Sequence, residues 1–297
     1  MYTLLVVNPV SGQGRAAREK RKLLDLVSSM PHVHTSMTSG PEDALRFAAE
    51  AAGNGFDRVI AAGGDGTINQ VISGIGDSGL ALGIVPLGTA NVLAHELDIP
   101  SNDISAALSI IREGHTRLVD VARAGDRRFM LMAGFGFDAA VVESVSHRVK
   151  DVVGSMAYVS AAIEQLVRYT PTRFRLVFEE GPAYETEAFA VIVANCGTYA
   201  YDFKIAPEAV FDDGMLDVLI FESGPGATLQ FIGQALDSFF QTRIPGLNTA
   251  YFKSAKVRVE SDPPVKMQLD GDVCGESEID IEVLPKSLRL IVPDNKD

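Results

Sequence analysis

Arg58-Val-Ile-Ala-Ala-Gly63-Gly64-Asp65-Gly66-Thr67-Ile-Asn-Gln-Val71 is followed, eight residues on, by Leu80-Ala-Leu-Gly-Ile-Val85-Pro86-Leu87-Gly88-Thr89-Ala90-Asn91. Each stretch reads as a short apolar strand, a glycine-bearing loop and the start of a helix. Glycine admits positive φ and lets the backbone approach a ligand closely. The first N–H groups of the following helix have no intrahelical partner and carry partial positive charge, which suits phosphate. Asp65 stands inside the first of these loops. A carboxylate beside phosphate repels it unless a cation stands between, so the pair predicts Mg2+.

Working outward, the chain before this stretch repeats the same pattern. Tyr2-Thr-Leu-Leu-Val-Val7 is a continuous apolar run, expected of a strand covered on both faces. The loop Asn8-Pro9-Val10-Ser11-Gly12-Gln13-Gly14-Arg15 follows, then a helix predicted over 16–30 with Ala16, Leu23, Leu24 and Val27 on one face. A strand over 33–38 ends at Thr38, and Pro41 marks the first turn of a helix running to about residue 52. A further helix is expected over 102–112. Strands alternating with helices predict a doubly wound, mostly parallel α/β domain, with ligands bound beyond the carboxyl ends of its strands. Gly12-x-Gly14-x-x-Ala17 matches a dinucleotide fingerprint in part. Four residues separate strand from first glycine, however, and no acid lies near His34 to hold a ribose hydroxyl.

From Thr116 the pattern changes to strands in succession: 117–121 and 129–132 as a hairpin, then 174–178, 187–194, 215–221, 254–260, 265–269 and 279–284. Helices are expected over 139–169 and 229–240. Strands joined by turns predict an antiparallel β-sandwich. The domains are therefore placed at 1–122 and 123–285, with a last strand near 287–292 free to rejoin the first.

Gly-Gly-Asp-Gly-Thr with a downstream Pro-Leu-Gly-Thr-Ala-Asn resembles the catalytic domain of the diacylglycerol kinases, and within them the soluble bacterial lipid kinases related to sphingosine and ceramide kinases. The resemblance extends over nearly the whole chain. It implies that Asn8, Thr38, Gly63, Gly64, Asp65, Gly66, Thr67, Gly88 and Thr89 line an ATP site. It gives the position of Asp270, in Met267-Gln268-Leu269-Asp270-Gly271-Asp272, the role of general base. Asp272 stands where the family has Glu and would help Asp65 order water around Mg–ATP. It also implies a structural Mg2+ held by Asp213 and the carbonyls of Val210 and Met215, although Asp-Asp-Gly is equally the composition of a plain turn. The chain departs from the family at Val92, where Asp is frequent, and at Gly197-Thr-Tyr-Ala-Tyr-Asp-Phe203, where a glycine-rich stretch is usual.

The resemblance thus implies an ATP- and Mg2+-dependent lipid kinase acting on a hydroxyl, diacylglycerol first among acceptors. NAD kinases share Gly-Gly-Asp-Gly-Thr, so an NAD kinase-like enzyme is the alternative, and a nucleotide- or lipid-binding protein without catalysis is another.

Composition sets limits on partners. A net charge of −13 across 297 residues argues against nucleic acid as the partner, because phosphate contacts need clustered Lys and Arg. It also disfavours strong docking on anionic lipid, so contact with a membrane surface is expected to be peripheral and transient. No apolar run approaches the ~20 residues of a membrane span. The N-terminus enters a strand directly, without signal-peptide features. Cys196 and Cys274 lie apart, outside any metal spacing, which fits a reducing, cytoplasmic setting. The sequence leaves open whether the protein forms a homodimer.

Overall fold

The apolar run near the N-terminus forms β1 (Thr3–Val7), all five of whose residues are buried. Successive side chains of a strand point to opposite faces. Leu4 and Val6 enter one core, Leu5 and Val7 another. The computed structural model describes residues 1–148, 169–200, 203–224 and 249–294. β1 lies between β2 (Val33–Met37) and β3 (Arg58–Gly63), and β3 pairs with β4 (Ala81–Pro86), all in parallel. The crossovers are α1 (Arg15–Val27), α2 (Asp43–Gly53) and α3 (Asp65–Ile75); α4 (Val92–Glu96) and α5 (Ile104–Glu113) follow β4. α2 and α3 cover the Leu4 face, α1 and α5 the Leu5 face. The doubly wound arrangement is the one the alternation predicts.

Two boundaries differ from expectation for local reasons. Pro41 is not the first helical residue. Glu42 sits at φ 65 and the Asp43 carboxylate takes the Ser39 and Gly40 amides at 2.8 and 3.0 Å, so the chain turns once more before α2 begins. α5 starts after Asp103, whose carboxylate caps the Ser105 and Ala106 amides.

The second half is antiparallel. β5 (Thr116–Ala124) and β6 (Arg127–Phe129) form a hairpin. Met130 and Leu131 then leave the ladder, and the chain resumes as β7 (Met132–Gly136), followed by α6 (Phe137–Arg148). The expected strand over 129–132 is therefore split, with consequences for the site. The remaining strands are β8 (Thr172–Phe178), β9 (Tyr184–Ala194), β10 (Thr198–Ala200), β11 (Phe203–Lys204), β12 (Leu216–Glu222), β13 (Thr249–Ser254), β14 (Lys256–Asp262), β15 (Lys266–Leu269), β16 (Asp272–Glu276) and β17 (Ile279–Ile291). They run β16-β15-β7-β9-β8-β14, with β12 and β13 extending from β9. Phe129, Phe135, Phe174, Val191, Val218, Val257 and Ile281 pack in the core. The helix expected over 229–240, and 149–168 of that expected over 139–169, lie outside the described residues.

β17 carries one half into the other. Its first residues pair with β14, its last pair in parallel with β4, and β5 runs antiparallel along both parts. The expected boundary after residue 122 thus falls within β5. Between Leu284 and Leu288 the register shifts, with Lys286 at φ 50. Such a bulge bends its strand. Asp120, wholly buried, pins it: one carboxylate oxygen accepts the Lys286 amide and the other the Gly214 amide, each at 2.7 Å.

Candidate active site

The loops after β1, β3 and β4 interlock at the carboxyl ends of the strands. Gly12 has φ 62, and a Cβ there would lie 2.2 Å from the Leu87 carbonyl oxygen. A Cβ on Gly88 would lie 2.5 Å from the Gly64 Cα. These two glycines are therefore required by the approach of one backbone to another. The Leu87 amide donates to the Gly63 carbonyl at 2.8 Å, and Asn8 Nδ2 donates to Thr67 Oγ1 at 3.0 Å. Asn91, at φ 50, closes its loop on itself: Oδ1 accepts the Gly88 amide and Nδ2 donates to the Gly88 carbonyl. Thr38 lies at the same end of the sheet, its amide donating to Val7. Gly66 and Thr89 are exposed, at the rim of this cradle. Arg15, at the end of the loop after β1, donates to the Ser101 carbonyl.

Asp65 opens α3, and its carboxylate reaches the start of α4, accepting the Leu93 amide at 3.3 Å. It thereby ties the first loop to the second. Burial pushes its carboxyl above the ordinary range, opposed by the amides of Leu93 and its neighbours.

Asp270 arrives from the other half of the molecule. Leu269 pairs with Asp272, and Asp270 and Gly271 form the two-residue turn between β15 and β16, with φ 48 and 88. Two successive positive φ values are those of the hairpin turn that Asp-Gly favours. The Asp270 carboxylate accepts three amides: Met130 on Oδ2 at 2.7 Å, and Leu131 and Met132 on Oδ1, each at 2.9 Å. Met130 and Leu131 offer these amides because they have left the β-ladder. Asn195 takes their carbonyls, its Nδ2 donating to Met130 and its backbone amide to Leu131. Burial, with a smaller contribution from the Asp65 charge and against the pull of the three amides, raises Asp270 to about 6. The charge of Asp65 in the first half thus acts on Asp270 in the second. Asp272, the first residue of β16, is exposed, with Arg127 as its charged neighbour.

Residues 2–124 match the diacylglycerol kinase catalytic domain, and residues 132–292 match the YegS C-terminal, NAD kinase β-sandwich-like domain. The chain belongs to this diacylglycerol kinase-like family. A Bacillus subtilis protein named diacylglycerol kinase is 28% identical, covering 98% of this chain and 96% of its own. The crystal structure of a Bacillus anthracis diacylglycerol kinase superposes with a TM-score of 0.77 at 24% identity, covering 99% of this chain and 97% of that one. An NAD kinase from Archaeoglobus fulgidus, solved in complex with ATP, shares the fold with a TM-score of 0.57 at 13% identity, covering 99% of this chain and 94% of that one.

The loop at 206–217 bears on the expected structural cation. Val210, Asp213 and Met215 lie in the segment that leads into β12. Asp213 Oδ1 accepts the Met215 amide at 2.9 Å, and its Oδ2 lies 3.4 Å from the Lys253 ammonium. The same ammonium donates to the Glu208 carbonyl at 3.1 Å and lies 3.5 Å from the buried Asp217 carboxylate. Positive charge is thus already supplied to this loop by the protein. The donors are hard oxygens, but a permanently bound cation fits only if Lys253 withdraws from Asp213.

Four residues of the site escaped the sequence reading. The amides of Met130, Leu131 and Met132 carry no side-chain signature, and Asn195 acts through the first two. Among the described residues, no helix is long and apolar enough to cross a membrane.

Proposed function

We propose that the protein transfers the γ-phosphoryl group of Mg–ATP to the hydroxyl of a lipid, diacylglycerol foremost. Membership of the kinase family supports ATP as donor. The observation that carries the acceptor chemistry is Asp270: a carboxylate with about four acceptor sites has three of them filled by fixed amides. The remaining site, on Oδ2, is oriented by the other three. The hydroxyl oxygen attacks the γ-phosphorus as the bond to ADP breaks, and the proton passes to Asp270. Phosphoryl transfer depends mainly on positioning and charge stabilisation. The interlocked loops hold the phosphates, with Gly66 and Thr89 at the open rim and Gly63, Gly64, Thr67 and Gly88 setting its shape. Asp65 acts on Mg–ATP from the shared N-terminal region of α3 and α4, and Asp272 orders water at its exposed edge. The membrane contact that brings the lipid is peripheral.

Incubation of labelled ATP and Mg2+ with a total lipid extract, and separately with NAD, tests this reading. Label recovered in a phosphorylated lipid supports it. Label on NAD alone assigns the NAD kinase alternative, and ATP binding without transfer to either assigns a binding protein.

A further inference from the structure

Asp138, on the first turn of α6, is 5% exposed and takes no part in the chemistry above. Its carboxylate occupies space that exists only because residue 134 of β7 is glycine. A Cβ there would lie 1.6 Å from Asp138 Oδ2 and 2.8 Å from Gln268 Nε2. Gly134 and Gln268 are register partners between β7 and β15. Gln268 Nε2 donates to Asp138 Oδ2 at 2.8 Å, and the Tyr199 hydroxyl donates to Oδ1. At its other end Gln268 Oε1 accepts the Gly271 amide at 2.7 Å.

This arrangement is costly as a device for stability. Glycine within a strand weakens it, and a buried carboxylate must give up hydration. Burial accordingly pushes Asp138 above the ordinary carboxyl range. What the carboxylate supplies is polarity. An amide side chain has a donor end and an acceptor end of nearly the same shape. A carboxylate only accepts, so Asp138 draws the NH2 end of Gln268 and leaves the oxygen for the Gly271 amide. Flipped, the NH2 group would meet that amide donor to donor. Gly271 is the second residue of a turn whose first is Asp270, both at positive φ.

We propose that Asp138 is a positioning residue for the transfer reaction: through the oriented amide of Gln268 it fixes the Asp270–Gly271 turn, and with it the direction of the open Asp270 oxygen. This rests on the reading of Asp270 as the base. Tyr199 completes the set from β10, whose Thr198 hydroxyl bonds to Glu96 of α4, so the element after the second phosphate loop abuts the same chain of contacts.

Amide hydrogen exchange and steady-state kinetics with diacylglycerol on Gln268→Met, Asp138→Ala and Asp138→Asn test the proposal. Met is close in volume to Gln and offers no hydrogen bond to Gly271. In Asp138→Asn the side-chain carbonyl can still accept Gln268 Nε2 while the new NH2 group donates to the Tyr199 oxygen. Gln268→Met and Asp138→Ala are expected to speed exchange at Gly271, Met130, Leu131 and Met132 selectively. They should lower kcat about 10²-fold, the scale of a small misplacement of a reacting group, with KM for ATP unchanged. Asp138→Asn should restore most of both. Unaltered protection of these amides in Gln268→Met, a uniform loss across the protein, or an Asn variant as impaired as Ala would each overturn it. If Asp138→Ala does not fold, Gln268→Met decides. The exchange readout needs no turnover. Wild-type kcat in Asp270→Asn would therefore remove the base reading while the exchange data still decide whether the turn is held.

Discussion

Asp270 faces three N–H donors, and this determines what its substitution does. In Asp270→Asn one oxygen can keep Leu131 and Met132, but the NH2 group then meets the Met130 amide donor to donor. Asn is thus not a silent replacement. An unsatisfied buried donor costs about 1–3 kcal/mol, and a lower Tm at pH 5 should show it. The pH dependence has two opposite signs. The folded carboxyl titrates at about 6 against an ordinary 3.8, so the folded state binds more protons between those values. Its contribution to stability is full below the unfolded value and is lost as pH rises through about 6. Turnover runs the other way, because a base must be ionised, and kcat/KM should rise through about pH 6. Melting curves of wild type and Asp270→Asn from pH 4 to 8 should converge as pH rises, and a constant gap would argue against the raised titration.

At the scale of elements, the interlocked loops separate stability from binding. Gly88→Ala places a methyl group 2.5 Å from the Gly64 backbone, whereas nothing lies within 4 Å of a Cβ on Gly66. Gly88→Ala should cost about 1–3 kcal/mol, the range for overpacking. Gly66→Ala should leave Tm unchanged and weaken ATP binding measured by calorimetry, since its methyl group points into the rim. Undiminished ATP affinity in Gly66→Ala would move the phosphates elsewhere. The 206–217 loop gives a second test. With Lys253 neutralising Asp213 and Asp217, chelator should leave the wild-type Tm unchanged. Lys253→Met should lose about 1 kcal/mol, the scale of a partly exposed ion pair, since Asp217 keeps the Tyr251 hydroxyl and Asp213 the Met215 amide, and added Mg2+ should recover part of it. A chelator-sensitive wild type would instead establish the structural cation. Much of this level was readable in the sequence. The strand-loop-helix repeats at Gly12, Gly63 and Gly88 place the cradle, and Asp270-Gly271 announces its turn. Lys253 was not readable as a partner of Asp213, because the contact spans 40 residues and depends on the register of β12 with β13.

For the whole molecule, the decisive feature is that one strand joins the antiparallel and parallel parts of a single continuous sheet. β17 carries the antiparallel half against the parallel half, and Asp270 of the one feels the charge of Asp65 of the other. Periodicity in the sequence showed the strands at 279–284 and 287–292 but not that they are one, since Pro285 and Lys286 read as a break. The bulge that bridges them is held by Asp120, so Asp120→Ala should cost about 1–3 kcal/mol, because the part-buried Lys286 and Gly214 amides lose their acceptor, seen as a lower denaturant midpoint. The site therefore depends on elements far apart in sequence, each supplying a group to one junction. Single-turnover transfer of label from saturating Mg–ATP to diacylglycerol, compared among wild type, Asp65→Asn and Asp270→Asn, tests that junction most directly. The account predicts transfer by the wild type and a loss of about 10²–10⁴-fold in Asp270→Asn with ATP still bound. Wild-type transfer by Asp270→Asn alongside an inactive Asp65→Asn would contradict it.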